Sequence, residues 1–395
     1  MKLARTACAT AAAIAVGGAM ITGTAFAASP NPARTVTGLA GPTGVAVDST
    51  GHLYVGNLTG NTVSIIDPGA TTPNPAKTLT GLAMPAGVAV DSANHAYVSV
   101  FNAGAVAVFD PGATTLTPSK TLTGLDHPTG VAFDSAHRVY VSNYGTGGGG
   151  TTVSVFEPGA TTPNPAKTLT GLTTPMGITV DSTNHVYVTN YGGGSASNTV
   201  SVFDPGATTA NPAKRLTGLS GPSGVAIDSQ HRVYVTNLAP AGAGTTVSVF
   251  DPGATVANPA STLTGLAGPF GVGVGPNDSV YVSNYGTLGT GTTVAVFDPL
   301  VTAPGQPGAP KVTPKVNKTA KIKWAAAAAN GDTPTYLVQV AKPGKAWKTF
   351  TATTGRKYVG AVPGAKRGRT LQFRIIAVNS AGLGPASAVT TAVMK

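Results

Sequence analysis

The chain has very little cysteine and very few acidic side chains. Cys8 is the single cysteine in 395 residues, Glu157 is the single glutamate, and Asp and Glu together number 14. Beyond Cys8 the chain therefore has no disulfide and no thiol nucleophile. Hydrolases and lactonases need placed carboxylates, often with a metal ion, so the shortage of acids counts against such an enzyme. No segment after residue 27 is apolar enough to span a membrane.

A repeated segment fills most of the chain. One copy, residues 171–205, reads GLTTPMGITVDSTNHVYVTNYGGGSASNTVSVFDP. Its short runs of valine, isoleucine, threonine and tyrosine are typical of strands. Residues 181–185 and 204–206 contain the Asp, Asn, Pro and Gly that favour turns. With a run equivalent to residues 167–170, each copy predicts a four-stranded antiparallel meander.

The copies are regularly spaced. The proline before the first strand and the tyrosine of the second strand both recur at steps of 43, 43, 47, 47 and 47 residues. These residues are Pro42, Pro85, Pro128, Pro175, Pro222 and Pro269, and Tyr54, Tyr97, Tyr140, Tyr187, Tyr234 and Tyr281. A period in the forties with four strands per unit indicates a β-propeller, and six copies predict six blades.

The order of strands predicts how the ring closes. Residues 34–39 match the fourth strand at 77–82, whereas the array stops on a third strand at 294–298. We therefore expect the N-terminal strand to complete the last blade, which leaves no open sheet edge at the junction.

The repeat also resembles a known family. The phrase PTGVAVDSTGHLYVGN at residues 42–57, with third strands such as VSVFD at 200–204, is similar to the NHL-repeat group of six-bladed propellers. The resemblance covers residues 34–299. It implies the fold and does not imply one activity, because related propellers include binding modules, lactonases and lyases.

The chain divides into four segments by composition. Residues 1–27 have Lys2 and Arg5, an apolar core and a final Ala-Phe-Ala, which is typical of a secretory signal peptide; an uncleaved anchor is the alternative. Residues 28–300 form the predicted propeller. Residues 301–310, VTAPGQPGAP, form a Pro/Gly-rich linker. Residues 311–395 form a second domain.

The second domain resembles a fibronectin type III sandwich. It has a Pro-rich entry, Trp324 on its second predicted strand, and the pattern FRIIAVNSAG at 373–382. Leu371 departs from the family, which usually has a tyrosine at this corner. The predicted fold class is therefore all-β, a six-bladed β-propeller followed by an immunoglobulin-like (fibronectin type III) β-sandwich.

Charge is divided unequally between the two domains. Residues 301–395 carry 15 Lys and Arg against Asp332 alone, while the predicted propeller carries 8 against 13 acids. A secreted basic module would be attracted to anionic wall polymers, teichoic acids or acidic polysaccharide; a soluble spacer with a basic surface is the alternative. Nucleic acid is not an expected partner, because the chain has no recognition helix and no series of stacking aromatics.

Most acids and histidines fall at turn positions of the repeat. Eleven of the 14 acids begin one of the two turns, and five histidines follow the first turn aspartate by three or four residues: His52, His95, His137, His185 and His231. Asp126, Asp278 and Asp332 lie outside the pattern, as does His127, which follows Asp126. We therefore expect no catalytic residue, no metal site and no cofactor.

Variation between copies gathers on one predicted face. That face carries the loops that enter each first strand and the loops that follow each second strand, and loops on a rigid scaffold commonly meet ligands. The recurrent Asn-Tyr-Gly is the main candidate, since tyrosines stack on sugar rings and amides bind hydroxyls; alternatively Asn ends the strand and Tyr covers the sheet edge. The candidate ligand-binding residues are Asn143, Tyr144, Asn190, Tyr191, Asn284, Tyr285, Phe101, Asp126 and His127.

These features favour a monomeric, secreted or cell-wall-associated, non-catalytic binding protein. Its ligand would be a glycan, a cell-wall polymer or a protein. Two alternatives remain open at this point: an extracellular polysaccharide-acting glycosidase or lyase, and a lactonase-like metal-dependent hydrolase.

Overall fold

The computed structural model describes residues 31–395, apart from 114–116, 193–196, 301–302, 329–332 and 380–381. The chain divides into two compact units, one spanning Ser29–Pro299 and one that includes Leu300–Lys395. The predicted signal peptide, Asp332 and part of the FRIIAVNSAG segment lie outside the described residues.

The first unit is built from short strands, most of them five or six residues long. Proline begins each strand that opens a repeat, a position where its missing N–H is tolerated. The described strands are β1 (Arg34–Val36), β2 (Pro42–Val47), β3 (Leu53–Asn57), β4 (Thr62–Ile66), β5 (Pro85–Val90), β6 (Ala96–Val100), β7 (Ala105–Phe109), β8 (Lys120–Leu122), β9 (Pro128–Phe133), β10 (Val139–Asn143), β11 (Thr152–Phe156), β12 (Pro175–Val180), β13 (Val186–Asn190), β14 (Thr199–Phe203), β15 (Pro222–Ile227), β16 (Val233–Asn237), β17 (Thr246–Phe250), β18 (Pro269–Val274), β19 (Val280–Asn284) and β20 (Thr293–Phe297).

These strands form small antiparallel sheets, as the repeat predicts. The sheet orders are β2-β3-β4, β5-β6-β7-β8, β9-β10-β11, β12-β13-β14, β15-β16-β17 and β18-β19-β20-β1. The register holds Tyr187 of a second strand opposite Thr179 on one side and Val202 on the other. The first strands β2, β5, β9, β12, β15 and β18 pack against one another in this order, and β18 also packs against β2. The six described sheets therefore follow one another in a closed series.

A glycine in each first strand permits this close packing. It lies two residues after the opening proline, at Gly44, Gly87, Gly130, Gly177, Gly224 and Gly271. A Cβ built on Gly177 would collide with the carbonyl oxygen of Ser223, and one on Gly271 would collide with that of Thr43. The Pro-x-Gly phrase of the repeat therefore has a steric cause, because one backbone lies where a side chain would be.

Buried hydroxyl groups join successive sheets. The Thr189 hydroxyl accepts from the Gly177 N–H at 2.8 Å and lies 3.0 Å from the Ser223 carbonyl of the next sheet, to which it donates. Ser283 repeats the arrangement between the last sheet and the first, donating to the Thr43 carbonyl at 2.6 Å. Each hydroxyl provides a hydrogen-bond partner for buried backbone groups that water cannot reach.

The N-terminal strand belongs to the last sheet. In β1, Arg34 lies opposite Val296 and Val36 lies opposite Val294, so β1 pairs antiparallel with β20. Val36 is fully buried. The first and last strands of the unit are thus joined by hydrogen bonds, and the edge of β20 is covered.

The fourth strand is shorter than the repeat predicts. Four of the sheets have only a single bridge there, Val63–Leu79, Val153–Leu169, Val200–Leu216 and Val247–Leu263. The cause is local: Asn74 accepts from the Ala76 N–H and caps a 3₁₀ turn at Pro75–Lys77, which turns the chain out of the sheet. Where Thr117 and Ser119 replace this Asn and Ala, the chain pairs over three residues as β8.

The remaining 3₁₀ turns lie in loops. Three further 3₁₀ turns are capped by asparagine in the same way as Pro75–Lys77; they are Pro165–Lys167, Pro212–Lys214 and Pro259–Ser261. Others follow second strands at Phe101–Ala103, Thr146–Gly148, Pro240–Gly242 and Thr287–Gly289. The core lies between successive sheets. Its largest fully buried side chains are Tyr234 and the phenylalanines that end the third strands, Phe109, Phe156, Phe203, Phe250 and Phe297, all at most 1% exposed.

The second unit consists of two antiparallel sheets around one core. Its strands are β21 (Lys311–Lys315), β22 (Thr319–Lys323), β23 (Thr335–Ala341), β24 (Lys348–Thr353), β25 (Lys357–Ala361), β26 (Thr370–Asn379), β27 (Gly382–Ala386) and β28 (Thr390–Val393). One sheet has the order β21-β22-β25, and the other β24-β23-β26-β27 with β28 also on β26. Trp324, Tyr336, Leu371 and Phe373 are buried in the core. Leu371, at the expected tyrosine position, fills space there.

Candidate functional site

The asparagines of the Asn-Tyr-Gly motif hold the loops in place. The Asn143 side chain accepts from the Asp126 N–H at 3.2 Å and donates to the hydroxyls of Thr152 and Ser154. Asn190 makes the equivalent bonds to Thr173, Thr199 and Ser201. Asn284 accepts from Ala267 and donates to Thr293. All three amides are buried, so their role in the structure is to tie the entry loop to the end of the second strand.

The residue after each second strand bonds to the entry loop of the same sheet. Tyr144 N–H donates to the His127 carbonyl, Tyr191 N–H to that of Thr174, and Tyr285 N–H to that of Gly268. The six residues that donate are Leu58, Phe101, Tyr144, Tyr191, Leu238 and Tyr285, and those that accept are Gly41, Met84, His127, Thr174, Gly221 and Gly268. The sequence variation therefore falls on two sets of equivalent positions along one loop face.

All six accepting residues have left-handed backbone. Glycine occupies three of these positions, where it is unstrained, but Met84, His127 and Thr174 have φ of 58°, 48° and 48°. A positive φ is uncommon for a residue with a Cβ and is a true outlier for a β-branched one such as Thr174. The three strained residues belong to consecutive sheets. Backbone strain at positions where glycine would be unstrained is typical of a functional site.

The aromatic side chains of two neighbouring sheets meet at these strained positions. The ring centroids of Phe101 and His127 are 4.8 Å apart, and those of Phe101 and Tyr144 are 5.7 Å apart. Burial, together with the nearby Tyr144, raises the pKa of Tyr191. Phe101, His127, Tyr144 and Tyr191 are all partly exposed, and we call these four residues the aromatic cluster.

Asp126 organises the loop beside the aromatic cluster. Its carboxylate lies 2.7 Å from His127 Nδ1 and accepts from both the backbone N–H and the hydroxyl of Thr146, at 3.2 Å each. The hydrogen bond with His127, followed by that from the Thr146 backbone, lowers the pKa of Asp126. The carboxylate is therefore ionised at neutral pH and already accepts three hydrogen bonds, which fits loop positioning better than general acid catalysis.

The glycine-rich insertions shape the tyrosine environment. A Cβ on Gly148 would lie 3.2 Å from the Tyr144 hydroxyl oxygen, so the insertion rests against the ring. The Thr174 hydroxyl donates to the Gly148 carbonyl at 2.6 Å, and the Thr174 N–H donates to the Gly150 carbonyl. These two bonds fix the loop to the next sheet. Phe270 and Tyr285 form a separate aromatic pair, with ring centroids 5.4 Å apart. Burial raises the pKa of Tyr285.

The first strands surround a cavity of about 280 Å³. It is lined by their backbone and by small or apolar side chains, with Met176 and Phe270 among them, and no charged residue is among the described lining residues. General acid–base and metal-assisted hydrolysis use carboxylates or cationic groups. The described residues that line this cavity supply neither. Within the described residues no three His, Cys, Asp or Glu side chains gather as metal ligands.

The turns after the first strands show what the histidines do. Asp134 Oδ1 accepts from the N–H groups of Ala136 and Arg138, and its Oδ2 accepts from Arg138 Nε at 2.6 Å. His52, His95 and His185 stand at the Arg138 position of their turns and contact the equivalent aspartate. His137 and His231 stand one residue earlier, with φ of 59° and 61°. The five histidines thus occupy two separate turn positions. Arg138 and Arg232, which donate to the turn aspartates Asp134 and Asp228, are not predicted by the sequence analysis.

Asp278 also has a place in these turns. Its φ is 61°, like that of His137 and His231, and its carboxylate accepts from the N–H and hydroxyl of Ser229 in the preceding sheet at 3.0 and 2.5 Å. Asp278 is not one of the acids that begin a turn, because Gly275 stands at that position in the last sheet. It occupies the fourth position of the same turn, where His137 and His231 stand in their sheets.

Comparison with known proteins identifies the class of the first unit. Neither a protein-family model nor a curated protein sequence matches the chain. Among solved structures, it is similar to a gluconolactonase from Xanthomonas campestris (15% identity, covering 70% of this chain and 97% of that chain, TM-score 0.50). It is similar also to the PQQ-bound aldose sugar dehydrogenase from Streptomyces coelicolor (17% identity, 68% and 97%, TM-score 0.50).

At such low identity these likenesses show the fold alone. The first unit is a β-propeller, which agrees with its small antiparallel sheets in closed series. Across the described part of the chain, no helix has the length and apolarity needed to cross a membrane.

Proposed function

We propose that this protein is a secreted or cell-wall-associated binding protein without catalytic activity. Its propeller would be a six-bladed one of the NHL type that recognises a glycan or a protein ligand, and its C-terminal unit a fibronectin type III module that tethers the protein to anionic wall polymers. Six sheets in closed series and two packed antiparallel sheets support these assignments. We expect a monomer.

The aromatic cluster is the observation on which the binding role rests. It places Phe101, His127, Tyr144 and Tyr191 on successive sheets, at loops that keep three non-glycine residues in strained backbone. Partly exposed aromatic rings with a polar edge are the groups that stack on sugar rings and anchor protein partners. Because Asn143 and Asn190 are occupied by loop contacts, the ligand would meet the rings, the His127 imidazole and the edges of the glycine-rich insertions.

A glycan array with the full chain tests this role. The double variant Tyr144→Ala with Tyr191→Ala should lower the signal of the best ligand at least about tenfold, since two stacking contacts of about 1 kcal/mol each are lost. The matched control is Leu58→Ala with Leu238→Ala, which truncates the equivalent positions of two other sheets.

The control separates binding from folding. Retained binding in the leucine variant and loss in the tyrosine variant supports the proposal. Equal loss in both variants would mean that the truncations act through the fold, and unchanged binding in the tyrosine variant would remove the aromatic cluster from the site.

A lactonase-like metal-dependent hydrolase fits the propeller fold about as well. The observation in its favour is the contact between the Asp126 carboxylate and His127 Nδ1 at 2.7 Å on the loop face, because carboxylate and imidazole are common metal ligands. A third ligand for them is not found among the described residues. Turnover of a lactone that is lost on Asp126→Ala would favour this function over binding.

A polysaccharide-acting glycosidase or lyase is the weaker alternative. Most glycosidases use a pair of carboxylates on either side of the scissile bond. In this structure Asp126 accepts from His127 and Thr146, and the described cavity lining supplies no second carboxylate.

A further inference from the structure

We propose that the outer face of the sheet β21-β22-β25 binds a linear phosphate polyester of the teichoic acid type. We call the five lysines of this face, Lys311, Lys315, Lys321, Lys323 and Lys357, the lysine face. The inference rests on the proposed tethering role of the basic unit and assigns that role to specific side chains.

The strand register sets the lysines in rows. Lys311 lies directly opposite Lys323, and Lys323 lies directly opposite Lys357, so one row across the three strands is entirely lysine. In the next row Lys321 lies between Thr313 and Val359, and in the third Lys315 lies opposite Thr319. Paired residues in antiparallel strands are about 5 Å apart, and rows on one face repeat about every 7 Å.

The lysines all lie on the side of the sheet that faces away from the core. Ala320 and Ile322 are 0% exposed and belong to the core, so Lys321 and Lys323, which alternate with them, project from the opposite side. Lys311, Lys315, Lys323 and Lys357 are exposed and Lys321 is partly exposed. The described residues of the unit contain no acidic side chain that could neutralise them.

Folding gains nothing from this arrangement. Like charges directly opposite each other destabilise a sheet, and repulsion from Lys323 and then from Lys357 lowers the pKa of Lys321. A soluble spacer needs only scattered charge to remain soluble. Three lysines in one cross-strand row therefore indicate a surface shaped for an anionic partner, which would relieve the repulsion on binding.

The chemistry of the face favours a flexible phosphate polymer. Its outward positions hold lysine, threonine, Val359 and Ala361, without an aromatic ring on which a base would stack. This sheet also offers no helix to the major groove of a nucleic acid. Lysine binds phosphate as a mobile point charge, so a polyester with one phosphate in each short repeat can meet an ammonium group in every row.

Titration of the full chain with poly(glycerol phosphate) at several salt concentrations tests the assignment. The test variant combines Lys321→Gln, Lys323→Gln and Lys357→Gln. The matched control combines Lys342→Gln, Lys345→Gln and Lys348→Gln, which removes the same charge from exposed positions elsewhere on the unit. We expect the test variant to bind at least about tenfold more weakly, with a logarithmic salt slope reduced by about 2, since each contact with a single-stranded polyanion contributes about 0.7.

The outcomes separate this inference from the tethering role itself. A control that loses as much affinity as the test variant would mean that net charge alone is recognised, and the lysine face would then be wrong while tethering stands. A wild-type protein that does not bind at about 50 mM salt, where such contacts are strong, would contradict both. Competition by double-stranded DNA or polygalacturonate as effective as by the polyester would overturn the assignment to a phosphate polyester.

Discussion

The hydroxyl of Ser283 donates a hydrogen bond of 2.6 Å to the carbonyl of Thr43, which is 240 residues away in the sequence. The same hydroxyl accepts from the Gly271 N–H at 2.8 Å. One side chain of β19 thus bonds the last sheet to the first. In addition, β1, which leads along the chain into β2 of the first sheet, pairs with β20 of the last sheet. The closure of the propeller therefore depends on two separate sets of hydrogen bonds.

Replacing Ser283 by alanine tests the first of these sets. Ser283→Ala leaves the buried Gly271 N–H and Thr43 carbonyl without this partner, so we expect a loss of about 1–3 kcal/mol in the free energy of unfolding, measured by denaturant titration. Ser283→Thr is the matched control, because Thr189 and Thr236 make the same contacts in other sheets. An alanine variant as stable as wild type would contradict a role for Ser283 in closure.

Close packing of the first strands predicts a severe effect at Gly177. A Cβ there would collide with the Ser223 carbonyl oxygen of the next sheet, a backbone atom that cannot move aside alone. Gly177→Ala should therefore lower the free energy of unfolding by at least about 2 kcal/mol. Gly149→Ala serves as the control, since its Cβ would meet its nearest neighbour at 3.4 Å. Similar thermal unfolding midpoints for the two variants would refute the steric explanation.

Left-handed backbone at His127 predicts a difference between two truncations. His127→Gly and His127→Ala both remove the imidazole, but only alanine keeps a Cβ at a φ of 48°. We expect the glycine variant to be more stable by about 1 kcal/mol in denaturant unfolding, while both bind ligand more weakly than wild type. An alanine variant at least as stable as the glycine variant would show that the backbone there is not strained.

Acid stability should depend on Asp134. Burial alone would raise the pKa of this carboxyl, but hydrogen bonds from the Arg138 N–H and guanidinium and from Tyr140 outweigh it and lower the pKa. A depressed folded pKa means that the stabilisation is present above the unfolded value of about 3.9 and is lost as the pH falls through the folded value. The unfolding midpoint should thus decline below about pH 4.

The variant Asp134→Asn checks this assignment. It should be less stable than wild type at pH 7, and its midpoint should decline less between pH 5 and pH 2, a range chosen to cover the titration of carboxyls at about pH 4. Asp251→Asn, which removes a carboxylate from an exposed turn, is the matched control. Parallel pH profiles for wild type and Asp134→Asn would contradict the contribution of this carboxylate.

The sequence predicts the all-β architecture and the propeller class because the repeat period and the strand patterns are strong local signals. It overestimates the fourth strand, since the competing signal is a short Asn-Pro-Ala turn in which the Asn74 side chain accepts from the Ala76 N–H. Such side-chain caps compete with sheet hydrogen bonds over only a few residues, and a strand pattern does not reveal which of them forms.

The role of the motif asparagines could have been read from the repeats themselves. Asn143 bonds Thr152 and Ser154, and where Val100 replaces the asparagine the two partners become Ala105 and Ala107. This paired replacement within one chain indicates an internal hydrogen bond rather than a ligand contact. The approach of Phe101 to His127, by contrast, joins different repeats and leaves no trace in their spacing.

The central claim is that the loop face binds a ligand and leaves it unchanged. The most direct test incubates the full chain with the glycan that gives the best array signal, measures saturable binding by calorimetry, and then determines the mass of the recovered glycan. We predict binding that is lost in Tyr144→Ala with Tyr191→Ala, and a glycan recovered with its original mass. A cleaved or hydrolysed product that forms with wild type and not with Asp126→Ala would contradict the account.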